Sequence, residues 1–164
     1  MKTLIDNFKV TNASVKPAKG DISKEDYLRA ALEYISAMNA SKFKIGDLLN
    51  SFREEFGSSE VQGYLIAALC SKTELKKATL ENAMSLAKHF EPDERTNSIF
   101  PTIYHLLQSL KDKAERSRLL SWYLQENAQG SSISQVEFQK AVRNAKIKTG
   151  QGVGKQGNAS RKRE

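Results

Sequence analysis

Residues 61–90 read VQGYLIAALCSKTELKKATLENAMSLAKHF, and this run decides the fold. Val61, Tyr64, Leu65, Ala68 and Leu69 recur at three- and four-residue spacing, and so do Leu80, Ala83, Met84, Ala87 and Phe90. Each set lays one apolar stripe along a helix. Between them, Ser71-Lys72-Thr73-Glu74 suits a tight turn, with Thr73 or Ser71 available as a cap. The second stripe leaves Lys77, Glu81, Asn82, Ser85 and Lys88 on its polar side. A helix-turn-helix unit needs this composition: the first helix braces, and the N-terminal part of the second enters the major groove. There a lysine donates to guanine O6/N7 or to phosphate, and an asparagine pairs bidentately with adenine. A plain helical hairpin inside a bundle carries the same pattern, its outer face polar as every outer face is. The charge balance from 72 to 88 is modest, with Lys72, Lys76, Lys77 and Lys88 against Glu74 and Glu81.

The flanking sequence is also helical in period. Ser23 is placed as an N-cap, followed by Glu25 and Asp26 in a first turn and by Tyr27, Ala30, Ala31, Tyr34, Ile35 and Met38 as a stripe. Asn39-Ala40-Ser41 ends that helix. Ile45, Leu48, Leu49, Phe52 and Phe56 form the next stripe, which Gly57-Ser58-Ser59 stops. Pro101 suits a first turn leading to Ile103, Leu106, Leu107 and Leu110. Asp112 caps a longer helix with Leu119, Leu120, Tyr123 and Leu124, broken at Gly130-Ser131-Ser132. Ser134-x-x-Glu137 has the spacing of a capping box, opening a helix with Val136, Ala141, Val142 and Ala145 inward. Residues 1–22 show no sustained period and read as a loose arm; no strand-turn-strand pattern or internal repeat stands out. The expected fold is all-α: a compact bundle of about seven helices over 23–146, with the helix-turn-helix at about 60–90.

The charge is unevenly distributed along the 164 residues. The net +7 lies wholly in residues 139–164, where Lys140, Arg143, Lys146, Lys148, Lys155, Arg161, Lys162 and Arg163 face only Glu164. Four of the nine glycines fall there too, and large apolar residues are almost absent after Ile147. Such a stretch cannot bury enough surface to offset its ordering entropy, so 147–164 is expected to be a flexible basic tail suited to polyanions. No run approaches the ~18–20 apolar residues of a membrane span, and the first residues lack a signal-type apolar core. One cysteine, Cys70, excludes an internal disulfide, and two histidines, His89 and His105, exclude a multi-histidine metal site. A cytoplasmic protein without cofactor or metal is the expectation.

An enzyme is not expected. Gly150-x-Gly-x-Gly lacks the preceding strand and following helix of a dinucleotide site. Glu54-Glu55 and Asp93-Glu94 are adjacent pairs that point to different helix faces and read as solvated charges. Cys70 ends an apolar stripe, as a buried structural thiol does. His89 follows Lys88 near a helix end, fitting a dipole or phosphate contact, and His105 reads as an ordinary, partly buried residue.

The run Thr73-Glu-Leu75-Lys-Lys-Ala-Thr79-Leu80-Glu-Asn82 through Ala87-Lys88-His89-Phe90 resembles the helix-turn-helix of LmbU-type regulators. Ile45-Gly46-Asp47-Leu48-Leu49 and Phe56-Gly57 are similar to that family's Gly-Asp-Trp-Leu helix and its Tyr-Gly stop. Val136-Glu137-Phe138-Gln-Lys140-Ala141-Val142-Arg143 resembles the end of the domain, a pattern also seen in the central domain of ParB-type partition proteins. The likeness spans roughly 23–146; Glu74 stands where the family has a turn glycine, and Leu48 where it has an aromatic residue. It implies a sequence-specific double-stranded DNA-binding protein, a transcriptional regulator or a phage- or plasmid-type accessory factor; because one short helix reads few base pairs, a homodimer on paired half-sites is expected. Lys76, Lys77, Thr79, Asn82 and Ser85 are then expected at or near base edges. Lys72, Lys88, Lys140, Arg143, Lys146, Lys148, Arg161, Lys162 and Arg163 are expected at phosphates. The competing expectations are a helical adaptor or inhibitor that binds a protein, its tail merely electrostatic, and RNA binding through the tail.

Overall fold

A computed structural model describes residues 7–11, 13–18, 20–36, 42–96, 99 and 101–151. The chain divides into two compact units, Met1–Ser98 and Ile99–Glu164, each taken by itself below. Residues 23–146, read in the sequence as one helical domain, are shared between them. Both units are mainly helical.

Unit 1 opens with an antiparallel hairpin, β1 (Phe8–Val10) and β2 (Val15–Pro17), paired Phe8 to Pro17 and Val10 to Val15. Here the expectation of a loose arm is corrected. Strands of three residues are too short to show alternation, yet Phe8 and Val15 are buried, and the Val15 amide donates to Asp47 Oδ2 at 3.1 Å. In the connecting turn, the Thr11 amide donates to the Ser14 carbonyl, and the Ser14 amide returns to Thr11 Oγ1. Residues 1–6 lie outside the described residues.

Helix α1 (Lys24–Ser36) starts where the sequence places it, with the Asp26 amide donating to the Ser23 hydroxyl at 3.1 Å. Tyr27, Ala30 and Ala31 are buried and Tyr34 and Ile35 half-buried. The expected end at Met38 to Ser41 lies outside the described residues. Helix α2 (Lys42–Phe56) buries Phe43, Ile45, Gly46, Leu48, Leu49 and Phe52, and Gly57, at φ 96°, ends it. Helix α3 (Ser58–Glu60), a π-helical stretch (Val61–Ile66) and α4 (Ala67–Lys72) then run on as one rod. Helix α5 (Lys77–His89) follows and lays Leu80, Ala83, Met84, Leu86 and Ala87 chiefly against α2. The two backbones come so close at Gly46 that a Cβ there would collide with the Ala83 carbonyl. A short 3₁₀ turn, Pro92–Glu94, closes the unit with a capping box between Glu91 and Glu94.

Unit 2 holds α6 (Pro101–Leu107), α7 (Lys113–Ala128) and α8 (Gln135–Lys148). With the 58–72 rod counted once, α-helices number seven among the described residues, as expected. Asp112 caps α7, accepting from the Glu115 amide at 3.0 Å. Buried Arg116 donates to the Leu110 and Lys111 carbonyls, closing the chain that leaves α6. The capping box at Ser134 is present: Glu137 accepts from the Ser134 amide at 2.8 Å and Ser134 from the Glu137 amide at 3.2 Å.

Two expectations for α8 are corrected. Val136 is 60% exposed while Phe138 is fully buried; Val142 and Ala145 are buried as expected, so the inner face begins at Phe138. Ile147 and Lys148 belong to the helix rather than to a tail. Gly150, at φ 76°, ends it in a Schellman motif, its amide donating to the Ile147 carbonyl and that of Gln151 to the Lys146 carbonyl. The rest of the expected tail, 152–164, lies outside the described residues. Leu124 of α7 is also partly exposed, at 37%.

The capping box makes a pH-dependent prediction. Hydrogen bonds from the Ser134 amide and then its hydroxyl, with Lys140 adding charge, hold the Glu137 carboxyl below its ordinary value. A folded value below the unfolded one gives stability that is complete above ~4.3 and lost as pH falls through the folded value. Glu137→Ala is therefore expected to lower the melting temperature at neutral pH. The difference from wild type should shrink as pH falls below the ordinary carboxylate range and through the lowered folded value. Thermal melts at neutral and acidic pH check it.

Candidate nucleic-acid interface

The turn from α4 to α5 is built by Thr73. Its hydroxyl donates to the Leu69 carbonyl at 2.7 Å and accepts from the Leu75 amide at 3.2 Å. Thr73 thus closes α4 instead of opening α5. Half-buried Leu75 packs against the core and fixes the angle of entry. Lys76 is the N-cap of α5 and offers no side-chain acceptor, so the first helical amides, those of Lys77 and Ala78, have no side-chain cap. Helix starts of this kind favour anions.

Lys72, Lys76, Lys77, Asn82, Ser85 and Lys88 are all exposed, and five of them share a face or an end of α5. At 100° per residue, Lys77, Glu81, Asn82, Ser85 and Lys88 span the side opposite Leu80, Ala83 and Ala87. Thr79 stands apart from them: it is half-buried and lines a small apolar groove with Ile35, Leu75 and Leu80. Glu81 lies in the middle of the face, 3.7 Å from Lys77 and accepting from the Gln62 side-chain Nε2 at 3.3 Å. Both charges are exposed, so their pairing stabilises little. Lys88 borders a different environment, an open cleft of about 650 Å³ whose rim also carries Glu54, Glu55 and Glu91. In that cleft the Tyr27 hydroxyl donates to Glu55 at 2.9 Å, and burial, reinforced by Glu55, raises the phenol pKa. Lys16, Arg53, Arg95 and Asp47 also line the cleft, so its acidic and basic side chains balance. The face of α5 carries Lys76 and Lys77 at its N-terminal end and Lys88 at the other.

Arg95, which sequence reasoning passed over, holds this arrangement together. Its guanidinium donates to Asp47 Oδ2 at 2.7 Å, to the Ala13 carbonyl at 3.1 Å, to the Ala87 carbonyl at 2.7 Å and to the Phe90 carbonyl at 2.9 Å. One side chain thus fastens the C-terminal end of α5, the middle of α2 and the hairpin turn. No signal along the sequence marks it, because Asp47 and Ala13 are 48 and 82 residues away.

In unit 2, Lys140 and Arg143 are exposed on α8 and Lys146 is half-buried. Lys148 is engaged by Glu115 at 3.3 Å, and Arg118 by the same carboxylate at 2.9 Å. Those two partners, Arg118 first, hold the Glu115 carboxyl below its ordinary range. Arg161, Lys162 and Arg163 lie outside the described residues.

Among the described residues no group of three His, Cys, Asp or Glu is placed to hold a metal, and no helix is long and apolar enough to cross a membrane. Cys70 is half-buried where the sequence suggested full burial. His89 is half-buried with its ring edge-on to Phe90, 5.0 Å between centroids. No protein-family model matches the chain, and no curated protein or solved structure matches it either.

Proposed function

We propose that this chain is a non-enzymatic, sequence-specific double-stranded DNA-binding protein that reads the major groove with α5. The observation that carries the reading is the exposed N-terminal half of α5, where Lys76, Lys77 and Asn82 surround a helix start without a side-chain cap. The uncapped amides and Lys72, Lys76 and Lys77 engage phosphates, which sets the register. Asn82 pairs with an adenine edge, Ser85 donates or accepts beside it, and Glu81 accepts from a cytosine amine. Exposed Lys88, at the far end of the same face, adds a further phosphate contact. A helix of 13 residues presents few base-reading side chains, which favours a homodimer on paired half-sites. The order of motifs that resembles LmbU-type regulators points the same way, towards a cytoplasmic regulator or accessory factor.

Enrichment of genomic fragments on the immobilised full chain tests the reading. Wild type is expected to enrich a defined set of sites, and Lys77→Glu with Asn82→Ala to lose them with unchanged far-UV circular dichroism. Loss of the asparagine–adenine pair alone is worth about 1–3 kcal/mol, roughly a 5- to 150-fold weakening at the cognate site. Enrichment of no site by wild type overturns the proposal. It would favour the adaptor reading, which the equal numbers of basic and acidic residues, 18 each over 1–138, support.

A further inference from the structure

Helices α6 and α8 border a second groove, of about 250 Å³, with His105 and Ser109 on one wall and Gln139, Arg143 and Lys146 on the other, beside buried Val142. Gln139, Arg143 and Lys146 follow at i, i+4 and i+7, so α8 presents them on one side. No acidic side chain lines the groove, and neither Arg143 nor Lys146 has a carboxylate partner among the described residues. The groove bordered by α7 and α8 is the contrast. It carries Arg118 and Lys148, and Glu115 pairs with both, offsetting one of the two charges. Two uncompensated cations in one groove repel each other, and an anion relieves that repulsion. Ser109 adds no donor, because its hydroxyl is committed to the Leu106 carbonyl at 2.9 Å. The donor-bearing side chains left on its walls are Arg143, Lys146, Gln139 and His105. Arginine's planar fork fits two oxygens of one phosphate. The volume is below the ~300–1,000 Å³ of sites for drug-sized ligands and suits one phosphate with its attached sugar.

We infer that the α6–α8 groove is a phosphate-binding site, with Arg143 holding two oxygens, Lys146 supplying charge and Gln139 donating to a third oxygen. The phosphate comes from a nucleic-acid backbone, a source that rests on the reading of α5, or from a free phosphate. Inorganic phosphate and, separately, a short random-sequence duplex are titrated into the isotope-labelled full chain and followed by amide signals. Inorganic phosphate is expected to shift the signals of 139–146 and 105–109 saturably in wild type and not in Arg143→Gln/Lys146→Gln. With duplex, the same variant is expected to flatten the slope of log K against log salt by about one unit, since the site holds one phosphate. Arg143→Lys/Lys146→Arg, which preserves charge, should retain the slope. Phosphate shifts with an unchanged duplex slope support the site and assign a free phosphate as its source. Absence of saturable shifts with both titrants, or a glutamine variant that responds like wild type, overturns it. The Lys77→Glu/Asn82→Ala variant should keep the phosphate shifts while losing site preference, so the two readings fail separately.

Discussion

Gly46→Ala is expected to destabilise unit 1 by about 3 kcal/mol or more, although alanine is the better helix former by ~1 kcal/mol. The added methyl has nowhere to go. Built on the α2 backbone it overlaps the Ala83 carbonyl oxygen and stands 2.7 Å from the Ala87 Cβ. The first obstacle is the main chain of α5, so no rotamer change clears it, and trimming Ala87 to glycine should not rescue the variant. α2 and α5 must separate, which loosens the contacts of Leu80, Ala83 and Ala87 along most of α5. Urea denaturation measures the loss. Stability equal to or above wild type would contradict the packing described. Because α5 carries the proposed reading face, the same substitution should weaken DNA binding well beyond its effect at any single contact.

Arg95→Ala is the second large effect, expected at about 3–5 kcal/mol, the usual cost of removing one partner of a buried pair. The Arg95 side chain is 4% exposed and that of Asp47 11%, and the guanidinium lies 4.8 Å from the Phe43 ring centre. Truncation leaves the Asp47 carboxylate with the Val15 amide as its remaining hydrogen-bond donor described here, and deprives the Ala87, Phe90 and Ala13 carbonyls of their donor. Arg95→Met combined with Asp47→Leu should recover part of the loss, since no lone charge then stays buried. Arg95→Lys should recover little, because an ammonium cannot span the same forked set of acceptors. An Arg95→Ala variant within about 1 kcal/mol of wild type would show that the pair contributes no more than an exposed one.

Local signals in the sequence were enough for the helices. Ser23, Asp112 and Ser134 with Glu137 cap where their spacing indicates, and Gly57 ends α2. These features act within one turn, so a one-dimensional reading captures them. The hairpin, Arg95 and Arg116 escaped it for the opposite reason. Two strands of three residues carry no period, and the acceptors of Arg95 come together only after folding. At the start of α8, Val136 and Phe138 are both apolar, and sequence alone does not say which one packs beside Trp122 and Tyr123. On α5 the outer face followed from helical spacing, but the half-burial of Thr79 depends on Leu75 and Ile35 from other elements. Glu115, 33 residues from Lys148, was likewise invisible as its partner.

Amide chemical-shift mapping of the full chain, during titration with a duplex selected from its own enriched fragments, tests the role of α5 most directly. The largest shifts are expected at Lys76, Lys77, Asn82 and Ser85, with smaller ones at Lys72 and along α8. Shifts confined to residues beyond 139, with α5 unmoved at saturation, would contradict it.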